Sequence, residues 1–226
     1  MKRGIVVLAV LLMAGGAFAE PLNSTAYAPA ARPTVQDRDT LGNAYDGIQT
    51  YGSAAQDFET AYDGYDIWVV SDFETSVDYY VDDVVAEGFT NGTVDGQGAN
   101  FLIYDGLPWD SGSIVLTATG GYDTLLSAGT MGADFDHALL PAGSYYMVFQ
   151  AVREYATSGQ AYAYQTSLGN ANDYQWNPGG SFGFTYQQVN NEGTPFDVNW
   201  QLTAEAVPEP ASLLLIGLGV FMLRRR

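Results

Sequence analysis

Apolar and polar residues alternate along short segments of this chain, and Gly, Asp, Asn and Pro separate the segments. In residues 144–152 the odd-numbered positions from 145 to 151 are Tyr, Met, Phe and Ala, and residues 196–202 repeat the pattern with Phe, Val, Trp and Leu at the even positions. A period of two residues is typical of a strand with one buried face. Both segments are therefore predicted to be strands.

Six further segments have the composition of strands: residues 67–73, 77–81, 101–104, 114–117, 161–165 and 182–186. Between residues 45 and 204 no window has the period of 3.6 residues that marks an amphipathic helix. Many short strands without helices predict an all-β domain, an antiparallel β-sandwich of the jelly-roll type. Trp68 and Trp200 lie in strand patterns and are expected in its core.

The first residues have the features of a secretory signal. Lys2 and Arg3 precede an apolar segment at residues 5–12, and Ala17 and Ala19 are the small residues that a signal peptidase recognises. A signal peptide is therefore predicted over residues 1–19. The alternative, a membrane anchor at this end, requires a longer apolar segment.

Three further regions follow the signal peptide. Residues 20–44 are rich in Ala, Pro, Thr and Asn and are predicted to form a flexible leader. Residues 45–204 form the predicted sandwich, which at roughly 160 residues is large enough to bury a core of its own. The chain has no cysteine, which excludes disulfides and thiolate metal sites. Residues 205–226 form a separate tail.

The charge of the chain is strongly acidic, with 26 Asp and Glu against 8 Lys and Arg. Only Arg32, Arg38 and Arg153 lie between the two terminal segments, which gives residues 20–209 a formal charge of −23. Such a surface repels nucleic acid and anionic lipid headgroups and attracts divalent cations. Nucleic acid is therefore excluded as a partner.

The tail contains a short polar motif, an apolar segment and a basic end. The motif is Val207-Pro208-Glu209-Pro210, the apolar segment is Ala211–Leu223, and Arg224, Arg225 and Arg226 end the chain. Thirteen helical residues span about 20 Å, against about 30 Å of hydrocarbon in a bilayer. Because three adjacent arginines are costly to bury and favour the cytoplasmic side, a short transmembrane helix is predicted over residues 211–223.

This order of elements resembles the PEP-CTERM proteins, which are exported proteins of Gram-negative bacteria. The resemblance covers only residues 207–226. It implies recognition by an exosortase, a membrane-embedded cysteine protease or transpeptidase, which removes the tail after transient insertion in the inner membrane. The implied destination is the cell surface or the extracellular polysaccharide matrix. The alternative is a plain membrane anchor, in which the two prolines only stiffen the linker.

Catalysis has little support in the sequence. His137 is the only histidine, and although Asp134 and Asp136 lie close to it, there is no Gly-x-Ser-x-Gly motif and no second imidazole for a metal. The protein is expected not to be an enzyme. A hydrolase that uses a pair of carboxylates stays as a third hypothesis, because only their separation in space would identify such a pair.

Two kinds of ligand site are suggested. Asp82 and Asp83, together with Asp-Gly pairs in predicted turns, could supply the oxygen ligands of a Ca²⁺ ion. Tyr174, Trp176 and Trp109 lie outside the clear strand patterns, and exposed rings of this kind stack on the faces of sugars. The alternatives are ordinary turn aspartates and rings that close the ends of the sandwich.

The leading hypothesis is a non-enzymatic, exported component of the envelope or extracellular matrix that needs no cofactor. The second is a carbohydrate-binding module, supported by calcium and associated with extracellular polysaccharide.

Overall fold

A computed structural model describes residues 39–47, 51–94, 96–126, 128–191 and 194–208. Within these ranges nearly all regular structure is β. The strands in chain order are β1 (Asp39–Leu41), β2 (Gly52–Ala54), β3 (Gln56–Asp57), β4 (Trp68–Thr75), β5 (Tyr79–Thr90), β6 (Gly98–Tyr104), β7 (Ile114–Thr117), β8 (Thr119–Asp123), β9 (Gly129–Leu140), β10 (Gly143–Val152), β11 (Ala161–Thr166), β12 (Tyr174–Trp176), β13 (Tyr186–Gln188), β14 (Asn190–Asn191), β15 (Thr194–Pro195), β16 (Asp197–Val198) and β17 (Gln201–Ala206). A 3-10 helix at Thr60–Tyr65 and one helical turn, α1 (Tyr155–Ser158), lie between strands.

The strands form two large sheets. Sheet 1 has the order β1-β17-β5-β11-β16, with β2 paired to β11, β9 paired to β5, and β8 paired to β9. Sheet 2 has the order β13-β12-β4-β10-β6-β7, with β3 paired to β10. All of these pairs are antiparallel except β3 with β10. The predicted all-β, antiparallel class is confirmed.

One hydrophobic core lies between the two sheets. Sheet 1 contributes Val84, Met131 and Leu202, and sheet 2 contributes Ile103 and Met147, all without exposed surface. The alternation predicted for residues 144–152 explains the sheet 2 side, because β10 directs its odd-numbered residues inward. Two sheets that share a core in this way are consistent with a β-sandwich.

The two tryptophans predicted to lie in strands have different surroundings, and only Trp68 is in one, since Trp200 lies between β16 and β17. Trp200 is fully buried, its indole N–H donates to Ser71 Oγ at 2.7 Å, and the ring of Phe73 packs against it edge-on at 5.1 Å. Trp68 is only half-buried and lies on the outer face of sheet 2. The prediction that Trp68 belongs to the core was wrong, because the alternation along β4 turns Val69 inward and its neighbour outward.

Strand β1 lies inside the range predicted as a flexible leader, so the leader cannot extend to residue 44. Asp39, Thr40 and Leu41 pair with β17, and Gly42 follows in contact with Trp200. A strand of three residues is too short to show an alternation of apolar and polar positions, so β1 is recognised only by its pairing with β17. The segment predicted at 182–186 is also displaced, because regular pairing begins at Tyr186.

Among the described residues, no helix has the length and apolar character needed to cross a membrane. The predicted signal peptide, including Ala17 and Ala19, and the predicted helix 211–223 lie outside these residues.

Candidate functional site

The outer face of sheet 2 is largely apolar. In one row of the register Tyr174 of β12 faces Val70 of β4, which faces Val148 of β10, which faces Leu102 of β6. The next row places Tyr146 beside Tyr104. An antiparallel sheet with one face on the core usually carries polar residues on the other face. This face therefore requires a cover or a binding partner.

The loop between β6 and β7, residues 105–113, covers part of this face. Asp105 closes the loop by accepting a hydrogen bond from the Ser113 N–H at 2.6 Å, and the Asp110 N–H donates to the Leu107 carbonyl at 2.9 Å. This compact turn packs Leu107 and Trp109 against the cluster formed by Val70, Tyr104 and Val148. The loop thus closes a small second core on the outside of the sandwich.

Trp109 reaches across the sheet to residues far from its own strand. Its ring is stacked on Tyr186 at 4.5 Å with an interplanar angle of 4°, and it meets Tyr174 edge-on at 5.3 Å. Three strands separate β6, which carries the loop, from β13, which carries Tyr186. The three rings therefore meet only because the loop crosses the outer face.

The rings bound an open depression of about 470 Å³, lined by Leu107, Trp109, Asp110, Tyr174 and Tyr186. Tyr186 keeps 51% of its surface exposed although Trp109 stacks on it, and Asp110 is exposed at the rim. The Tyr174 hydroxyl donates to Asn172 Oδ1 at 3.2 Å. The depression thus combines aromatic walls with a few polar groups, a composition common in small-ligand sites.

Two buried aspartates hold the segment that leads into β12. Asp197 accepts hydrogen bonds from the Ala171 N–H at 2.7 Å and the Asn172 N–H at 3.1 Å, and Asp173 accepts one from the Val198 N–H at 2.6 Å. Burial raises the pKa of Asp173 well above its usual range, and the nearby charge of Asp197 raises it further. These carboxyl groups fix the backbone that positions Tyr174.

The predicted calcium residues lie on sheet 1. Asp82 sits at a bulge of β5 and pairs with His137, with 3.1 Å between its Oδ1 and the imidazole Nδ1, and His137 stacks on Tyr80. Asp83 is exposed and faces Asp134 across the strand pair. In the part of the chain that the structure describes, no three Asp, Glu or His residues are arranged to hold a metal ion.

Two aspartates of the Asp-Gly pairs have structural roles. Asp105 closes the loop described above, and Asp46 accepts hydrogen bonds from the backbone N–H and the hydroxyl of Ser167 at 2.9 and 2.7 Å. Asp95 lies outside the described residues. These contacts are typical of ordinary turn aspartates, which was the alternative to a calcium site in the sequence analysis.

The last described residues lead directly from the fold into the tail. Strand β17 ends at Ala206, the Val207 N–H donates to the Asp78 carbonyl at 2.8 Å, and Pro208 is exposed. A family model of the PEP-CTERM protein-sorting motif matches residues 206–226. The chain carries a PEP-CTERM sorting tail.

The PEP-CTERM tail implies exosortase-dependent sorting of an exported protein, with processing at a membrane. The resemblance found in the sequence is therefore confirmed. Its residues Glu209, Pro210, Arg224, Arg225 and Arg226 lie outside the described part of the chain. No curated protein matches the chain.

In this PEP-CTERM-tailed chain the structure brings together two of the three predicted aromatic residues. Trp109 and Tyr174 both line the depression, whereas Trp176 packs beside Trp68 with 6.3 Å between ring centroids. The three rings lie on the outer face of sheet 2 and not at the ends of the sandwich. Tyr174 and Trp176 belong to β12, which is too short for its pattern to be recognised.

Sequence reasoning missed Leu107, Asp110 and Tyr186. The available signal was the density of aromatic residues just before Tyr186, where Phe182 and Phe184 lie. That density gives no indication that two segments almost eighty residues apart meet.

Proposed function

We propose that this protein is a non-enzymatic, exported component of the bacterial envelope or extracellular matrix. Signal peptidase removes residues 1–19, the apolar segment of the tail holds the chain in the inner membrane, and exosortase removes the tail. The product reaches the cell surface or the matrix. The observation that carries this proposal is a sorting motif that begins where the folded domain ends.

The use of buried polar residues supports a structural role. Asp123 pairs with Arg153 inside the domain, and Asp173 and Asp197 hold the segment before β12. Each of these buried carboxyl groups is engaged in joining parts of the fold.

The sorting proposal is tested by Glu209→Gln, which removes the charge of the motif. Glu205→Gln is the matched control, because Glu205 is exposed and lies before the matched residues. The motif variant is expected to stay in the membrane fraction with its arginines attached, and the control to be processed normally. Wild-type protein outside the inner membrane that retains Arg224–Arg226 would contradict the proposal.

The depression on sheet 2 supports a second candidate function, which is binding of a polysaccharide. Tyr186 offers an exposed ring that Trp109 holds in place from behind, and such a fixed ring can stack on the apolar face of a sugar. A ring already held by its neighbours loses little freedom on binding. The exposed carboxylate of Asp110 can accept hydrogen bonds from sugar hydroxyls.

The charge of the domain favours a neutral polysaccharide over an anionic one. Among the described residues Arg153 is the only lysine or arginine, and it is buried against Asp123. A chain of uronic acids would meet the exposed Asp110 without a cation to offset the repulsion. A neutral chain avoids that penalty.

Affinity electrophoresis in gels that contain a neutral glucan tests this function. Tyr186→Ala is expected to weaken retardation about two- to tenfold, the range that loss of one aromatic contact gives. Tyr122→Ala is the control, because Tyr122 is 41% exposed and lies on β8 of sheet 1. Equal retardation of the Tyr186 variant and the parent would contradict binding at the depression, as would stronger retardation by a polyuronate.

A further inference from the structure

A row of aromatic side chains leads away from the depression across the outer face of sheet 2. Tyr186 of β13 is paired with Trp176 of β12, which is paired with Trp68 at the start of β4. The rings of the two tryptophans lie 6.3 Å apart, and both residues are half-buried. Tyr186 therefore belongs both to the depression and to this row.

The row continues past Trp68 to two amide side chains. In the register of β4 and β10, Val69 is paired with Phe149. The preceding residue of β4, Trp68, and the following residue of β10, Gln150, are therefore opposite each other. Gln150 is also paired with Asn100 of β6. Since neighbouring strands lie about 4.8 Å apart, the row from β13 to β6 is about 19 Å long.

Gln150 is a buried residue with an unsatisfied amide oxygen. Only 2% of its surface is exposed, and within the described part of the chain its Oε1 has no hydrogen-bond partner. Its side chain lies on the outer face of sheet 2, because alternation along β10 places Val148 there and Phe149 in the main core. A buried amide without a partner costs folding free energy. Leucine would avoid that cost, so the amide points to a ligand.

The neighbours of Gln150 leave room for a ligand that lies along the row. Trp68 and Asn100, on either side of it, are both only half-buried. Asn100 is held in place, since its Nδ2 donates to Asp57 Oδ2 at 3.1 Å. A molecule that is seated on these two flanking side chains therefore lies over the Gln150 amide.

We infer that this row is a second subsite for a polysaccharide, in which the tryptophan rings stack on sugar rings and the Gln150 amide bonds a sugar hydroxyl. The inference rests on the proposed binding of a polysaccharide at the depression. A hydroxyl group suits an amide, because it both donates and accepts hydrogen bonds. The ligand is thus a neutral chain with free hydroxyl groups that is long enough to reach from Tyr186 to Gln150.

Two oligosaccharides of different length test this inference. In titration calorimetry, cellobiose can occupy the depression alone, whereas cellohexaose can also reach the second subsite. We expect the parent to bind cellohexaose more tightly than cellobiose. Gln150→Leu should weaken the binding of cellohexaose about two- to tenfold, the range expected for one hydrogen bond, and should leave the binding of cellobiose unchanged.

Gln165→Leu is the matched control for this variant. Gln165 is 4% exposed, and its Oε1 also has no hydrogen-bond partner among the described residues. It lies on β11 of sheet 1, away from the row. The control should bind both oligosaccharides as the parent does.

Thermal unfolding separates a binding role of Gln150 from a structural one. Because Gln150→Leu removes an unsatisfied buried group, its Tm should lie above that of the parent or within about 4 °C of it. A larger fall in Tm would show that the side chain supports the fold, and would overturn the inference.

The binding results also distinguish this inference from the proposed function. The row is not a subsite if the parent binds both oligosaccharides equally well, or if Gln150→Leu changes the binding of both to the same extent or of neither. In each of these cases binding at the depression still stands. If neither oligosaccharide binds the parent, the proposed polysaccharide binding fails together with the inference.

Discussion

Replacement of Asp123 by asparagine is expected to destabilise the domain strongly, because it removes the negative partner of a buried arginine. Arg153 Nε donates to Asp123 Oδ2, and Arg153 Nη2 donates to Oδ1 at 2.8 Å. Nη1 donates to the carbonyls of Val94 and Ser158 at 3.2 and 2.7 Å. Neither side chain of the pair has exposed surface. Asparagine keeps the shape of the side chain but leaves the guanidinium charge unpaired.

The size of the effect follows from this burial. Breaking a buried ion pair on one side costs about 3–5 kcal/mol, because the remaining charge stays out of water. In domains of about 150–250 residues each kcal/mol lowers Tm by about 2–4 °C, so the expected drop is about 6–20 °C. Because the pair is shielded from solvent, added salt should change the loss little.

Urea unfolding followed by tryptophan fluorescence, together with calorimetry, measures the loss. Asp110→Asn removes an exposed acid and is the matched control, with an expected change within about 0.5 kcal/mol. A double variant, Asp123→Leu with Arg153→Met, removes both charges and should be less destabilised than Asp123→Asn. A loss below about 1 kcal/mol for Asp123→Asn would refute the reasoning, as would a double variant less stable than the single one.

Four further outcomes are expected. Trp200→Ala should cost about 3–5 kcal/mol in unfolding experiments and Trp68→Ala clearly less, since only the former ring is fully buried; equal losses would contradict the assignment of the core. Gly42→Ala should lower stability by about 1–3 kcal/mol, because its φ is +98° and an added Cβ would lie 2.6 Å from the Trp200 ring; an unchanged Tm would mean that the chain beside β1 is not docked. Burial raises the pKa of Asp66 to about 6, so the protonated carboxyl stabilises the fold at pH 4 and this stabilisation is lost as pH rises through 6. Asparagine cannot ionise, so over that interval the Tm of Asp66→Asn should rise relative to that of the parent. A constant difference in Tm would contradict the raised pKa. Under the calcium hypothesis millimolar Ca²⁺ should raise Tm and Asp83→Asn should reduce the rise, whereas no rise in the parent would count against the hypothesis.

Features encoded within a few neighbouring residues could be predicted from the sequence. The alternation in residues 144–152 identified β10, because an extended backbone places successive side chains on opposite faces. The alternation in residues 196–202 was only partly confirmed, since the structure divides that segment between β16 and the start of β17. The sorting tail was recognised for a similar reason, since its elements are contiguous and in a fixed order. The all-β class follows from many such local patterns.

Pairing between distant segments determined which residues form the candidate site and where the folded domain meets the tail. Trp109 meets Tyr186 only because one loop crosses three strands, and neither residue's local sequence indicates the other. Alternation predicted that Trp68 and Trp200 lie in strands but did not show which faces the core. Trp68 begins β4, whereas Trp200 lies between β16 and β17, and the packing of the two sheets decides which ring is buried.

The same limit applies at the two ends of the described chain. The sequence determined that a sorting motif follows the domain, but only the contact between Val207 and Asp78 shows that the motif begins within the sheet. Likewise, Asp39–Leu41 became a strand only because an edge of β17 was free to pair with it. Local sequence patterns determined the class of the fold and the sorting tail. Pairing between distant strands determined which side chains are exposed together on a surface that could bind a partner.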